Sequence, residues 1–273
     1  MSFNLDILNY LKKEKFVPSK KMGQNFLISD EYQKRIVEIL DLQNNDNVLE
    51  IGPGLGSLTR WIIQKNVNLK LVELDKRLFE FLNNKYSSIE IINDDILKLD
   101  LSNFFSLQER EKNKVISNLP YSISSKAIIK LVKSNLFNDC VFMIQKEMGE
   151  RITAKVGSKK YNNFTVLLNI LCSIEKKFDV PNSVFIPKPE VMSSVILIKN
   201  NLNFDFDKTE YLEKFLKICF SQKRKKIINN LKNNIPIDKI NLILDTCKIN
   251  KDIRPEQITI ESFKKMFEVY LSC

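Results

Sequence analysis

Between Asn47 and Lys199, short runs rich in β-branched residues alternate with amphipathic helical segments. The strand candidates are residues 47–52, 68–75, 89–95, 113–120, 139–147, 175–180 and 193–199. The segments between them, such as 76–86 and 122–135, place apolar residues three and four positions apart, which is typical of helices. Strands that alternate with helices form βαβ units, so the pattern predicts an α/β fold with a mainly parallel, doubly wound sheet. The last two strands have no long helix between them, which predicts an antiparallel hairpin at one sheet edge.

The strand signal ends after Asn200, and four short amphipathic segments follow it at 209–220, 226–234, 238–247 and 261–271. Pro236, Pro255 and polar turns separate these segments, as expected of short helices. The sequence therefore predicts three parts. They are a basic N-terminal arm over 1–28, a sheet domain over 29–203 and a small all-helical domain over 204–273.

The formal net charge of +10 suggests a polyanionic partner. The chain is rich in Lys, Asn and Ile together, however, and such a composition gives a basic protein whatever the partner. Charge alone therefore leaves nucleic-acid binding and a merely basic protein open. No run approaches the roughly 20 apolar residues of a membrane-spanning helix, and residues 1–16 lack the pattern of a signal peptide. We therefore expect a cytoplasmic protein without a membrane partner.

Histidine is absent, and the five cysteines at positions 140, 172, 219, 247 and 273 include no CxxC pair. The sequence thus excludes Ser-His and Cys-His catalytic pairs and imidazole metal ligands. Scattered cysteines fit reduced thiols in the cytoplasm and argue against a zinc knuckle. We expect no metal, and any chemistry must use carboxylates, amides, aromatic rings, lysines, the backbone or a cofactor.

The segment from Glu50 to Gly56, EIGPGLG, follows the first predicted strand and opens a helix. Glycines there, including Gly52 and Gly54, allow a tight turn and let a ligand approach the backbone. Two cofactors fit such a loop, a nicotinamide dinucleotide and S-adenosylmethionine. The spacing is GxGxG, whereas the dinucleotide fingerprint is GxGxxG and presents amides to a pyrophosphate.

Acidic residues at the predicted strand ends favour S-adenosylmethionine, which carries a sulfonium cation and no phosphate. These residues are Glu50, Glu73, Asp94 and Asp95. Glu73 can accept hydrogen bonds from ribose hydroxyls. Asp95 can accept one from an adenine amino group. The alternative for the whole region, a simple strand-to-helix turn with solvated acids, has less support from this context.

Asn118-Leu119-Pro120-Tyr121 lies at the carboxyl end of the fourth predicted strand. An adenine amino nitrogen is a poor nucleophile because its lone pair is delocalised into the ring. This nitrogen carries two protons. The amide oxygen of Asn118 and the backbone carbonyl of Leu119, whose position Pro120 fixes, can accept hydrogen bonds from them. Tyr121 can stack on an extruded base. The motif therefore predicts methyl transfer to an adenine amino nitrogen without a strong general base.

At this point the sequence resembles the ribosomal RNA adenine dimethylase family over nearly its whole length. The resemblance rests on five segments beyond the NLPY motif: GQNFL at 23–27, EIGPGLG at 50–56, QKE at 145–147, FIPKPEV with Ser193 and Val195 at 185–195, and QKRKK with Asn230 and Leu231 at 222–231. Tyr161-Asn162 departs from the family's usual Tyr-Gly, which puts the geometry of that turn in doubt.

The resemblance implies cofactor contacts at Asn25, Leu27, Gly52, Glu73, Asp95 and Asn118. It also implies that Phe185 closes over the target adenine opposite Tyr121. The basic run Lys223, Arg224, Lys225 and Lys226 is expected to meet RNA phosphates, which position a substrate without reading its sequence. A solvated helix face is the alternative interpretation of that run.

The family has two enzyme branches. One dimethylates two adjacent adenosines in the 3′-terminal hairpin of small-subunit (16S) rRNA during ribosome maturation; the other dimethylates one large-subunit (23S) adenine and confers macrolide resistance. Leu119 and the segment Arg254-Pro255-Glu256 favour the small-subunit branch. A non-catalytic RNA-binding relative is a third possibility, which the intact NLPY motif, Glu73 and Asp95 disfavour. We expect a monomer that acts on rRNA within an immature subunit.

Overall fold

The computed structural model describes residues 10–11, 13, 16–19, 22–201, 203–222 and 224–272. The chain divides into two compact units. The first runs to Gly149 and resumes over Glu175–Asn200, and the second comprises Glu150–Ile174 and the chain from Asn201 onward. The boundary at 203–204 drawn from the sequence lies beside the last of these divisions. The contribution of Glu150–Ile174 to the second unit is absent from the sequence-based division.

The described strands and helices follow the predicted alternation. The strands are β1 (Phe26–Leu27), β2 (Asn47–Ile51), β3 (Asn68–Val72), β4 (Glu90–Ile92), β5 (Asn113–Asn118), β6 (Asp139–Gln145), β7 (Cys172–Val180), β8 (Phe185–Ile186) and β9 (Ser193–Asn200). The helices are α1 (Asp30–Ile39), α2 (Thr59–Ile62), α3 (Lys76–Lys85), α4 (Ser124–Ser134), α5 (Lys146–Ile152), α6 (Asn163–Leu171), α7 (Thr209–Cys219), α8 (Ile227–Leu231), α9 (Ile237–Thr246) and α10 (Ile260–Ser272). No helix among these described residues is long and apolar enough to cross a membrane.

Seven strands form one sheet in the order β4-β3-β2-β5-β6-β9-β7. The strands from β4 to β6 are parallel, and β9 is antiparallel to β6. This arrangement confirms the predicted α/β fold, and β9 and β7 are neighbours at the edge where an antiparallel hairpin was predicted. The chain leaves β2 in one direction towards β3 and returns on its other side at β5. In open α/β sheets such a switch point creates a crevice at the carboxyl ends of the strands.

The central strands β2, β5 and β6 are almost entirely buried, as expected of a parallel sheet with helices on both faces. Val48, Ile116 and Val141 are completely buried, and they belong to a core cluster that includes Ile36 and Ile62 from the neighbouring helices. A rigid core of this kind fixes the positions at which β2, β3 and β5 end.

Strands β1 and β8 form a separate two-stranded antiparallel ribbon that the sequence did not predict. Phe26 pairs with Ile186, and Leu27 pairs with Phe185. The ribbon thus joins the GQNFL segment to the FIPKPEV segment, although the two lie far apart in the sequence. Each strand has only two residues, which is too short for a detectable alternation of apolar and polar residues.

Helix α6, in the second unit, begins at the Tyr161-Asn162 turn that departs from the family pattern. Asn162 has an extended backbone with φ of −156°, so no glycine is needed there. Its side chain accepts hydrogen bonds from the backbone N–H groups of Phe164 and Thr165, which caps the helix. The hydroxyl of the buried Tyr161 donates to the carbonyl of Ile258 at 2.9 Å. Asparagine therefore suits this turn as an N-cap residue.

Candidate active site

A cavity of about 320 Å³ opens in the first unit at the carboxyl ends of β2, β3 and β5. All of the cofactor contacts expected from the sequence line it: Asn25, Leu27, Gly52, Gly54, Glu73, Asp95 and Asn118. Its volume lies within the range of small-molecule sites. The structure therefore brings these residues together from distant segments of the chain. Asn25 and Asn118, for example, are 93 positions apart in the sequence.

The glycine loop after β2 needs its glycines for conformation and for close approach. Gly52 and Gly54 have φ angles of +62° and +60°, a left-handed region that other residues rarely adopt. A Cβ atom at Gly54 would also lie 3.2 Å from the ring of Phe26. A side chain there would press on β1 and on the cavity wall.

Glu73, just beyond the end of β3, is held by the backbone around it. Its Oε2 accepts from the N–H of Gly54 at 3.1 Å, and its Oε1 accepts from the N–H of Asp75 at 2.9 Å. The side chain of Gln24 donates to Asp75 at 2.8 Å, which connects the GQNFL segment to the turn after β3. Burial raises the pKa of Glu73, while the two backbone donors act in the opposite direction. The carboxylate is therefore fixed in place before any ligand arrives.

Glu50, at the end of β2, also lines the cavity but is almost fully buried. It accepts a hydrogen bond from the hydroxyl of Thr59 at 2.7 Å. Burial raises the pKa of Glu50 to about 8 against an ordinary value of 4.5, and the Thr59 hydrogen bond opposes the shift. At neutral pH this carboxyl is therefore largely protonated, whereas its position in the EIGPGLG segment alone suggested a charged acid.

The raised pKa of Glu50 predicts that the unliganded protein loses stability as pH rises from about 5 to 8. The folded state binds the proton more tightly than the unfolded state, so the stabilising effect is complete below the ordinary pKa and is lost as pH passes the folded-state value. Each unit of pKa difference corresponds to about 1.4 kcal/mol. Glu50→Gln should flatten this dependence, as measured by thermal unfolding at a series of pH values. A matched change at the exposed Glu210 should leave the wild-type slope, and an equal slope in Glu50→Gln would contradict the prediction.

In the NLPY motif, Asn118 lines the cavity with its amide orientation fixed. Its Nδ2 donates to the backbone carbonyl of Asn25 at 3.0 Å. Because a carbonyl oxygen can only accept, this contact assigns the other amide atom, Oδ1, as the acceptor available to a ligand. Pro120 lines the same cavity, whereas Leu119 is buried and donates its N–H to the carbonyl of Met143 at 3.0 Å.

The two aromatic residues of the expected base clamp differ in their surroundings. Tyr121 is partly exposed, and its hydroxyl lies 2.9 Å from the hydroxyl oxygen of Ser193. Burial raises the pKa of Tyr121, so its hydroxyl stays protonated at neutral pH. Phe185 is only 3% exposed and packs in the core cluster with Leu27. Phe185 is not among the residues that line the cavity, although its ribbon partner Leu27 is, and closure of Phe185 over the target adenine stays a prediction.

Sequence reasoning missed three polar residues that shape the cavity. Gln24 and Ser57 line it, and Gln33 supports its wall from behind. Gln24 and Ser57 lie inside or next to the motifs at 23–27 and 50–56, which was the available signal for them. No sequence pattern marks Gln33.

Part of the basic run expected to meet RNA lies in the second unit, in the turn before α8 and not inside a helix as its spacing suggested. Arg224, Lys225 and Lys226 are exposed, and Lys223 lies outside the described residues. The Nζ of Lys226 is 2.8 Å from Asp252. Lys226 has an extended backbone with ψ of 152°, so the helix begins at Ile227, whose N–H donates to the carbonyl of Ile253 at 2.8 Å.

The cavity suits S-adenosylmethionine on its own chemistry. Its lining combines acidic side chains, including Glu73 and Asp95, with apolar side chains, including Ile96 and Leu78. Acids match the cationic and hydroxyl-bearing parts of this cofactor, and apolar side chains match its adenine ring. No group of three or more residues suited to hold a metal ion occurs in the part of the chain that the structure describes.

Comparisons with known proteins agree with this site. A family model described as "Ribosomal RNA adenine dimethylase" matches residues 16–271. A protein of Malacoplasma penetrans named "Ribosomal RNA small subunit methyltransferase A" is 52% identical over 264 residues, which cover 96% of each chain. A protein of Ureaplasma parvum with the same name is 45% identical over 270 residues, again 96% of each chain.

Solved structures show the same fold. A dimethyladenosine transferase of Plasmodium falciparum superposes with a TM-score of 0.73 at 26% identity, covering 87% of this chain and 94% of the other. The 23S rRNA methyltransferase ErmE gives a TM-score of 0.70 at 24% identity, covering 89% and 98%, and supports the fold alone. The cofactor is S-adenosylmethionine, as the site indicated and as the family uses. From the motifs, the cavity and these matches together, the chain belongs to the ribosomal RNA adenine dimethylase family.

Proposed function

We propose that the protein dimethylates the N6 amino group of two adjacent adenosines in the 3′-terminal hairpin of small-subunit (16S) rRNA, during maturation of that subunit. The observation that carries the proposal is the fixed amide of Asn118 at the cavity edge, with its nitrogen held by Asn25 and its oxygen turned to accept. When bound, S-adenosylmethionine would supply the methyl group: the bond between its sulfonium sulfur and the methyl carbon would break as the adenine nitrogen bonds to that carbon, which leaves a neutral thioether, and the nitrogen would lose one proton to water.

The NLPY residues act on the attacking nitrogen. Asn118 Oδ1 and the carbonyl of Leu119 accept hydrogen bonds from the amino group, and these bonds favour a tetrahedral nitrogen whose lone pair can attack. Tyr121 stacks on the flipped base, and the hydroxyl of Ser193 holds its ring. Glu73 holds the cofactor ribose, and Asp95 its adenine amino group. Positioning and preorganised acceptors thus supply the catalysis.

The small-subunit target is favoured over the large-subunit alternative by two arguments. Relatives named as small-subunit methyltransferases are up to 52% identical to this chain across nearly its whole length. Leu119 and the segment Arg254-Pro255-Glu256 resemble the same branch. We further propose that the protein acts in the cytoplasm as a monomer, on rRNA within an immature subunit.

The proposal is tested by mapping dimethyladenosine in the rRNA of cells with and without the gene. Loss of the two adjacent dimethyladenosines from small-subunit rRNA, restored by the wild-type gene but not by Asn118→Ala, is the expected result. A change confined to a large-subunit adenine would favour the second enzyme branch. Unchanged methylation in both RNAs would contradict the proposed function.

The basic run predicts a salt-sensitive interaction with RNA. Neutralising Lys223, Arg224, Lys225 and Lys226 together should weaken binding to small-subunit particles and flatten its dependence on salt. The slope should fall by roughly one unit for each phosphate that the protein no longer neutralises. Affinity for S-adenosylmethionine should not change.

The control for this prediction removes similar charge from exposed helical positions of the same unit, at Lys214, Lys217 and Lys265. Binding in this control should stay closer to that of the wild type. Equal losses in the two variants would mean that only net charge matters, and an unchanged salt slope in the basic-run variant would mean that the run is a solvated surface.

A further inference from the structure

Gln33, on α1, has no exposed surface, yet each polar atom of its side chain is paired. Its Nε2 donates to the backbone carbonyl of Leu27 at 2.7 Å. Its Oε1 accepts from Arg60 Nε at 3.0 Å and from the indole N–H of Trp61 at 3.1 Å. A buried amide with all of these partners in place holds them in one geometry, because breaking any of these hydrogen bonds leaves a polar group unpaired inside the protein.

The carbonyl of Leu27 receives a second hydrogen bond, from the hydroxyl of Ser57 at 3.0 Å. Both lone pairs of this oxygen are therefore used. Leu27 and Ser57 line the cofactor cavity, whereas Gln33 lies outside the lining. Gln33 thus reaches the cavity lining through the backbone carbonyl of Leu27.

Leu27 needs such support because β1 is only two residues long. A two-stranded ribbon of this size is not stable by itself, and its partner, β8, is equally short. Gln33 connects this ribbon to α2 through Arg60 and Trp61, and α2 follows the glycine loop. An ion pair between Arg60 and Asp30 joins the start of α1 to the same helix.

We propose that Gln33 is a positioning residue of the cofactor site, which holds the Leu27 wall of the cavity in register with the glycine loop through the Leu27 carbonyl. The proposal rests on the cofactor site described above and extends it to a residue outside the cavity lining. Its loss should weaken cofactor binding while leaving the chemical step intact once the cofactor is bound.

The test uses Gln33→Glu, which keeps an acceptor for Arg60 and Trp61 and, when ionised, replaces the N–H donor to Leu27 with a carboxylate oxygen that cannot donate. The matched control is Asn113→Asp, the same amide-to-acid change at another fully buried site. Asn113 donates to the carbonyls of Ser106 and Leu136 at 2.9 Å, but it begins β5, at the end of the sheet opposite the cavity. Gln33→Met, with an apolar side chain of similar length, serves as the second variant.

Calorimetric titration with S-adenosylmethionine at pH 8 should give a Kd raised roughly fivefold to tenfold in Gln33→Glu, as expected when one buried hydrogen bond is removed. The rise should be at least as large in Gln33→Met, which also removes the acceptor for Arg60 and Trp61. The Kd of Asn113→Asp should stay within about twofold of the wild type. At saturating cofactor, the single-turnover rate of Gln33→Glu should match that of the wild type.

Wild-type cofactor affinity in the Gln33 variants, or an equal loss in Asn113→Asp, would overturn the positioning role. A reduced single-turnover rate at saturating cofactor would overturn it as well, since the defect would then not be confined to binding. Failure of the wild-type protein itself to bind S-adenosylmethionine would instead refute the cofactor site.

Discussion

Asn118→Ala is expected to slow methyl transfer by on the order of a hundredfold or more at saturating S-adenosylmethionine, the usual effect of losing one preorganised hydrogen-bond partner. The Asn118 oxygen is aimed by the bond between its amide nitrogen and the carbonyl of Asn25, so it needs no reorganisation during the reaction. Its acceptance matters most as the adenine nitrogen becomes tetrahedral, and the loss should therefore fall mainly on turnover. Some loss of cofactor affinity should accompany it, because the Asn25 carbonyl at the cavity wall loses its donor.

The measurement is single-turnover methyl transfer to small-subunit particles that lack the modification. Asn113→Ala is the matched control, since it removes a buried amide from the other end of the same strand. That variant should lose stability and keep its rate per folded molecule. A wild-type rate in Asn118→Ala at saturating cofactor would show that the proposed mechanism is wrong.

The sheet could be predicted because its strands carry strong local signals. The strands at 47–51 and 139–145 are rich in β-branched and other apolar residues, and the structure confirms them. Helix α6 escaped prediction because residues 164–171 are apolar on nearly every side, which removes the amphipathic spacing that marks a surface helix. The ribbon of β1 and β8 depends on a contact between segments that no local pattern relates.

The residues of the site, like the strands, could be predicted only where a local sequence signal marks them. Glu73 and Asn118 could be found because each lies at or just after the end of a predicted strand, and strand ends in a doubly wound sheet meet at one crevice. The hydrogen bond between Tyr121 and Ser193 could not be found, since it depends on how β9 lies relative to the turn after β5. Burial of the Phe185 ring was equally hidden, because a motif specifies residue types and not the direction of a side chain.

Glu73→Gln is expected to raise the Kd for S-adenosylmethionine by roughly tenfold to a hundredfold, the range for hydrogen bonds to a charged group. Gly54 and Asp75 each occupy one lone pair of the two carboxylate oxygens, and the remaining lone pairs can accept from the ribose hydroxyls. In the variant, an amide NH₂ must face one of these backbone N–H groups. The mutation therefore removes a ligand contact and also disturbs the backbone hydrogen bonds that hold the Glu73 side chain in place.

The burial of Glu73 also predicts that cofactor binding is linked to the release of a proton. Burial raises the pKa of Glu73 in the empty cavity, and hydroxyl donors from the cofactor favour the charged form. Binding should therefore release a proton at pH values below that raised pKa, and the affinity should increase as pH rises through it. Titrations in two buffers of different ionisation enthalpy measure this release directly.

Glu50 is a second buried acid of the cavity, and its pKa is also raised, to about 8. The variant Glu50→Gln therefore shows which of the two acids releases the proton. Proton release on cofactor binding should persist in Glu50→Gln and disappear in Glu73→Gln. If Glu73→Gln binds S-adenosylmethionine as tightly as the wild type, the ribose contact assigned to Glu73 is wrong. If its affinity falls but the proton release remains, the proton comes from another group, and the charge of Glu73 is already present in the empty site.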